Sequence, residues 1–197
     1  MPWFCSELIA EYKPALLKAW RNVDAFEGRL YHVTDLSGHD FGRKDNKHGL
    51  PERGLLFVRN LEPAPWWDDA GGYSLINSIP HRGATLTIEY PETHRLLLQF
   101  AKYCSVNFRC TIAHYSAFSW GGPLESENTR LFLPSERQIF RDQERGLTIN
   151  QAEDGTVSAT EKDHLAITLE YFDVISPTGY FAPHTRHFDW KRHAIQS

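Results

Sequence analysis

The chain has 197 residues, 41% of them hydrophobic, with six Trp, eight Tyr and twelve Phe, enough apolar area to offset chain entropy and exclude global disorder. Twenty-one basic against 25 acidic residues leave a net charge of -4, which supplies no basic field for a phosphate backbone and sets nucleic acid aside as a partner. The length suits one hydrophobic core, so residues 1–197 are read as a single domain.

Residues 5–20 place Leu8, Ile9, Tyr12, Leu16, Leu17 and Trp20 at three- and four-residue spacings, the pattern of an amphipathic N-terminal helix that Pro14 kinks or splits. Arg29–Thr34 reads as a short strand, with Leu30 and His32 on one face and Tyr31 and Val33 on the other. Asp35–Arg53 is rich in Gly and charge and has no periodicity. It exceeds the roughly 12–15 residues at which a structureless loop becomes unusual, and such loops are often functional. Gly54–Leu61 follows as a buried strand, ended by the Pro, Trp and Gly punctuation of Glu62–Gly72.

Ala84–Tyr90 alternates Leu86, Ile88 and Tyr90 with Thr85, Thr87 and Glu89, as a half-buried strand does. Pro91 and Glu92 suit the first turn of a following helix, whose stripe is Leu96, Leu97, Phe100, Ala101 and Cys104. Asn107–Tyr115 then alternates again, completing a strand–helix–strand unit. Downstream, Gly146–Asn150 and Thr156–Thr160 flank an Asp154-Gly155 reversal. His164–Val174, strong in β-branched and aromatic residues, reads as a further strand. The expected fold is therefore α+β, with a central, mostly antiparallel sheet, one strand–helix–strand unit and an N-terminal helix.

Apolar runs such as Leu55–Val58 and Leu96–Leu98 fall far short of the roughly 20 residues a bilayer crossing requires. The start, Met1-Pro2-Trp3-Phe4-Cys5-Ser6-Glu7, has no secretory signal pattern. Cys5, Cys104 and Cys110 form an odd, sparse set that suits a reducing compartment. A cytoplasmic protein without membrane contact is the expectation.

Three constellations bear on chemistry. His184, His187 and Asp189, with His193 beyond, offer divalent-metal ligands, although their spacing matches no strong motif and a surface tail is the plainer reading. Cys104, Cys110 and His114 also include zinc-ligand types, but small buried cysteines are the ordinary explanation. No Gly-rich phosphate loop, nucleophile elbow or diagnostic carboxylate pair is present, so no cofactor is expected. Ser116–Glu127 instead carries Phe118 and Trp120 through Gly121-Gly122-Pro123 to Glu125 and Glu127. Rings and carboxylates emerging together at a sheet end suit recognition of a basic partner surface. Trp66, Trp67, Asp68 and Asp69 repeat that composition in a second loop. A rigid turn with Trp120 folded back on the core is the plainer alternative.

The run Phe100–Glu127, a helix and strand followed by Tyr115, Trp120-Gly121-Gly122 and the acidic pair, resembles small cytoplasmic immunity proteins of bacterial polymorphic-toxin and type VI secretion systems. The resemblance implies a protein that neutralises a cognate toxin by binding it, with neither catalysis nor cofactor. The segment Arg29–Thr34 resembles the first strand of ADP-ribosyltransferase-like folds. That implies a nicotinamide-dinucleotide-dependent enzyme using His32 and a distal glutamate, for which Glu125, Glu127 and Glu170 are available. A metal-dependent enzyme around His184 and His187 is the third alternative.

Overall fold

The computed structural model describes residues 3–36, 49–59, 78–81, 84–87, 90–119, 126–144, 147–160, 164–174, 181–184 and 188–196. Within them an eight-stranded antiparallel sheet carries the fold. Its strands are β1 (Trp3–Glu11), β2 (Leu30–Val33), β3 (Leu55–Arg59), β6 (Ile112–Ser119), β7 (Ser126–Phe132), β8 (Gln138–Glu144), β9 (Leu147–Ala152) and β10 (Val157–Thr160), in the order β10-β9-β8-β7-β6-β1-β3-β2. β4 (Ser78–His81) and β5 (Ala84–Thr87) form a separate two-stranded ribbon. Three helices complete the set: α1 (Pro14–Arg21), α2 (Tyr90–Asn107) and α3 (His164–Leu169). The α+β class and the antiparallel sheet agree with the sequence reading.

The N-terminus does not. Residues 3–11 form a strand in mid-sheet, flanked by β3 and β6, and only Pro14–Arg21 is helical. Both faces of β1 are covered, so Leu8, Ile9 and Ala10 are all fully buried. Apolar residues on both faces erase the alternation that marks a half-exposed strand, and the remainder mimics a helical stripe. Pro14 sets the boundary: Lys13 before it is extended at φ -136, ψ 130, as a residue preceding proline prefers, and proline is well placed in a first helical turn.

Each sheet face has its own core. On one, Leu8, Leu30, Leu56, Val58 and Ile112 pack against Leu16 and Trp20 of α1 and Leu97, Ala101 and Cys104 of α2. On the other, Cys5, Ile9, Val33, Leu55, Phe57, Ala113, Tyr115 and Leu131 meet Leu169, Phe172, Phe181 and Phe188. His164–Val174, expected as a strand, is α3 followed by a 3-10 turn, Glu170–Phe172. Its buried residues are His164, Ile167, Thr168, Leu169, Phe172 and Val174, of which His164, Ile167, Thr168 and Phe172 recur at helical spacing, and the segment lies across the sheet as part of its cover. α2 begins where expected, and its end is closed by the 110-to-105 and 109-to-106 backbone bonds, with Arg109 at φ 48 in the left-handed conformation of a Schellman motif. Lys13 adds its ammonium to the carbonyls of Phe108 and Arg109, at 3.3 and 2.5 Å.

The strand–helix–strand expectation is corrected in its topology. β5 pairs with β4 and β6 with β1 and β7, so α2 joins two sheets rather than crossing over one. The hairpin at Asp154-Gly155 is present: β9 and β10 pair across it, Gly155 has φ +84, and Asp154 Oδ1 accepts the Thr156 N–H at 2.9 Å.

Among the described glycines, Gly54 is the one with least room for a side chain. At φ +72 it delivers the chain into β3, and a Cβ there would lie 2.3 Å from the Val33 carbonyl oxygen and 3.1 Å from Thr34 Cα. Backbone atoms cannot turn aside as a side chain can. Gly54→Ala is expected to cost on the order of 3 kcal/mol, from left-handed strain plus this overlap. Gly155→Ala, with nothing within 4 Å of the new Cβ, should cost about 1 kcal/mol from strain alone. Urea-unfolding midpoints of the two variants check the contrast, and equal losses would refute the overlap argument.

Candidate functional site

The face beneath the C-terminal cover carries a row of polar side chains that runs straight across the sheet. Pairing register aligns Arg59 with Glu7, Glu7 with Tyr115, Tyr115 with Thr129, Thr129 with Arg141 and Arg141 with Asn150. Directly paired residues point to the same face, so six adjacent strands contribute one polar line to an otherwise apolar core.

The covering segments answer it group by group. His184, in the 3-10 turn Ala182–His184, bonds Glu7 Oε1 through Nε2 and stacks on Tyr115, with centroids 4.7 Å apart and planes 5° from parallel. Glu7 Oε2 accepts from Arg59 Nε at 3.3 Å, and the Arg59 guanidinium lies 3.9 Å over the Trp190 ring. Tyr115 donates its hydroxyl to Glu127 at 2.7 Å. Farther along, His164 Nε2 meets Thr129 Oγ1 at 2.7 Å. Arg141 donates to Thr168 Oγ1 at 3.0 Å and to Asn150 Oδ1 at 2.6 Å.

Burial governs the electrostatics. Glu7 is fully buried, and desolvation alone would raise its pKa. The adjoining His184 and Arg59 outweigh that penalty and hold the carboxyl below its ordinary value. Burial pushes the Cys5 thiol well above its usual value, and the Glu7 carboxylate adds to the effect. Tyr115 is raised well above an ordinary phenol by burial and then by Glu127. Burial, aided by the positive Arg141, lowers His164 to about 4. At neutral pH the thiol is therefore a thiol, His164 is neutral and Glu7 is charged. Such a core holds its groups in fixed protonation states, and a nucleophilic thiolate is not among them.

The sequence candidates fall in various places. Trp66, Trp67, Asp68, Asp69, Trp120 and Glu125 lie outside the described residues, as does His187. Phe118 is the β6 partner of Phe4 and Ser126. Glu127 corrects the expectation of an exposed carboxylate: it is 3% exposed and receives the Tyr115 hydroxyl, because it starts the inward-facing register of β7. His32 stacks on Tyr12 at 4.1 Å and bonds the Arg53 carbonyl at 2.8 Å through Nε2. It pairs with Leu56 on the helix side of the sheet, whereas Glu127 and the exposed Glu170 belong to the other side. Those groups do not converge. Cys104 and Cys110 have thiols pushed up to about 12 and about 11 by burial, and His114 bonds Ser6 Oγ at 3.2 Å. Among the described residues the three-membered cluster of metal-ligating types is Cys5, Glu7 and His184.

Sequence reasoning missed Cys5, Glu7, Arg59, Tyr115, Thr129, Arg141 and His164. The available signal was Cys5 and Glu7 at period two with Ile9. Assigning a helix there put Glu7 on a solvent face and hid it. Among the described residues no helix is long and apolar enough to cross a membrane. Comparison with protein-family models, curated proteins and solved structures finds no match to the chain.

Proposed function

We propose that the protein is an immunity-type inhibitor, which neutralises a cognate protein toxin by direct binding. The observation that carries this reading is the outer half of the helix-side sheet face. There Asn128, Arg130, Phe140, Ile149 and Gln151 line a shallow basin of about 530 Å³. Register puts Arg130, Phe140, Gln151 and Val157 in one row. Arg130, Gln151 and Val157 are exposed, and the Arg130 guanidinium lies 5.1 Å from the Phe140 centroid. Arg and aromatic side chains held together on a rigid sheet are the residue types that dominate protein–protein affinity.

The partner suited to this surface offers a carboxylate to Arg130 and an apolar side chain to Phe140 and Ile149. The basin begins at Asn128, close in sequence to Trp120 and Glu125, whose ring and carboxylate engage basic groups of the same partner in this reading. The buried polar row on the opposite face keeps the sheet in one register, so the basin is preformed and little ordering cost falls on binding.

The test is co-expression with toxic products of adjacent genes, followed by co-purification. One of them should be bound and neutralised. Arg130→Glu combined with Phe140→Ala should weaken that complex at least 100-fold, about 2.7 kcal/mol, while leaving the melting temperature of the free chain within a few degrees. Undiminished killing with every adjacent product overturns the function. Full protection by the double variant overturns this surface.

A further inference from the structure

A second site lies on the other face and is independent of any protein partner. Cys5 and Glu7 alternate on β1 and so share a face, and His184 reaches them from a turn 177 residues away in the chain. One ligand atom from each, Sγ, a carboxylate oxygen and an imidazole nitrogen, all lie within 4.8 Å of one another. Around a tetrahedral zinc ion with bonds of about 2.0–2.3 Å, ligand atoms stand roughly 3.3–3.8 Å apart. About 1 Å of side-chain adjustment therefore closes the three onto a common ion. We propose that Cys5, Glu7 and His184 form a zinc site that fastens the C-terminal cover to the centre of the sheet.

The chemistry of the set supports a borderline-soft divalent ion. Thiolate with imidazole favours zinc over magnesium or calcium, which take oxygen ligands. A doubly charged ion with one thiolate and one carboxylate is electrically neutral as a unit, which suits a pocket where Glu7 is fully buried and only 6% of the His184 side chain is exposed. Two neighbours hold the ligands in place. Tyr115 stacks flat on the imidazole, and Arg59 holds the other oxygen of Glu7, the kind of supporting contact that orients ligands around a metal. The ion replaces the direct hydrogen bond between Glu7 and His184 and releases the Cys5 thiol proton to solvent. The fourth position falls to water.

Untagged protein, purified under reducing conditions without chelator, should carry one zinc per chain by elemental analysis. Cobalt loading should give the thiolate-to-metal absorption of a tetrahedral site. Zinc at about 100-fold over its dissociation constant should raise the melting temperature by roughly 5–10 °C relative to chelator-treated protein. Cys5→Ser should abolish the cobalt charge-transfer band and weaken zinc binding at least 100-fold, while melting like the wild type in chelator. His184→Gln serves as a second variant with the same expected loss of zinc. Absence of stoichiometric metal after loading with zinc, cobalt and nickel overturns the proposal. So does zinc binding that neither substitution alters.

Discussion

Glu7→Ala is expected to destabilise the protein by about 3–5 kcal/mol, the largest effect of any single polar substitution in the sheet. The carboxylate is fully buried and is shared by two cationic or potentially cationic partners, Arg59 at 3.3 Å and His184. Removing it leaves a guanidinium whose side chain is 18% exposed without its counter-charge, and an imidazole nitrogen without its acceptor. Desolvation costs that were offset then stand uncompensated. Replacing the three together, Glu7→Leu with His184→Phe and Arg59→Met, should recover much of the loss, since apolar groups of similar size need no partner. The cycle formed by Glu7→Ala, His184→Ala and the double variant should show a coupling energy of about 1–3 kcal/mol. Urea unfolding in chelator measures all of these. A loss below about 1 kcal/mol for Glu7→Ala would mean that water reaches the pair.

The second large effect is on pH. His164 is held neutral in the folded state, with its pKa lowered from 6.5 to about 4 by burial and by Arg141. The unfolded chain binds a proton at this residue more readily than the folded one, so stability is fully present above pH 6.5. It declines as the pH falls from 6.5 toward about 4. The difference between the two values corresponds to a loss on the order of 3 kcal/mol across that window. The groups that face the imidazole are Thr129 on β7, Tyr115 on β6 and Arg141 on β8, and none of them supplies a carboxylate to stabilise the imidazolium. His164→Gln should flatten the slope between pH 6.5 and 4.5 relative to the wild type. Parallel stability curves for the two proteins would show that some other group carries the acid sensitivity.

These two effects come from the same row of side chains. Its arrangement explains why the site was harder to read than the fold. The hairpin at Asp154-Gly155 was legible because its signal is local: a glycine at positive φ and an aspartate bonding its own backbone two residues on. Pro91 and the stripe at Leu97, Ala101 and Cys104 marked α2 for the same reason. β1 was not legible as a strand. A central strand covered on both faces loses its alternation, and its polar members Ser6 and Glu7 look like the wet side of a helix. The His164–Val174 segment failed in the opposite direction, because β-branched and aromatic composition states only that a segment packs against something. Which of sheet or cover it joins is decided by what space the other strands leave.

Composition, hydropathy and turn chemistry by themselves determined the α+β class, the extended character of β3, β6, β9 and β10, and the start of the helix at 90–107, whereas of the helix expected over residues 5–20 only 14–21 is helical. Only the tertiary structure decided that Glu7, Tyr115, Thr129 and Arg141 stand in one line, that His184 and His164 close over it, and that Glu127 turns inward. Periodicity acts over one helical turn or one strand, whereas this polar row is assembled by register between strands up to 143 positions apart, from Glu7 to Asn150. Register follows from the packing of the whole sheet, and no local stretch of the chain contains it.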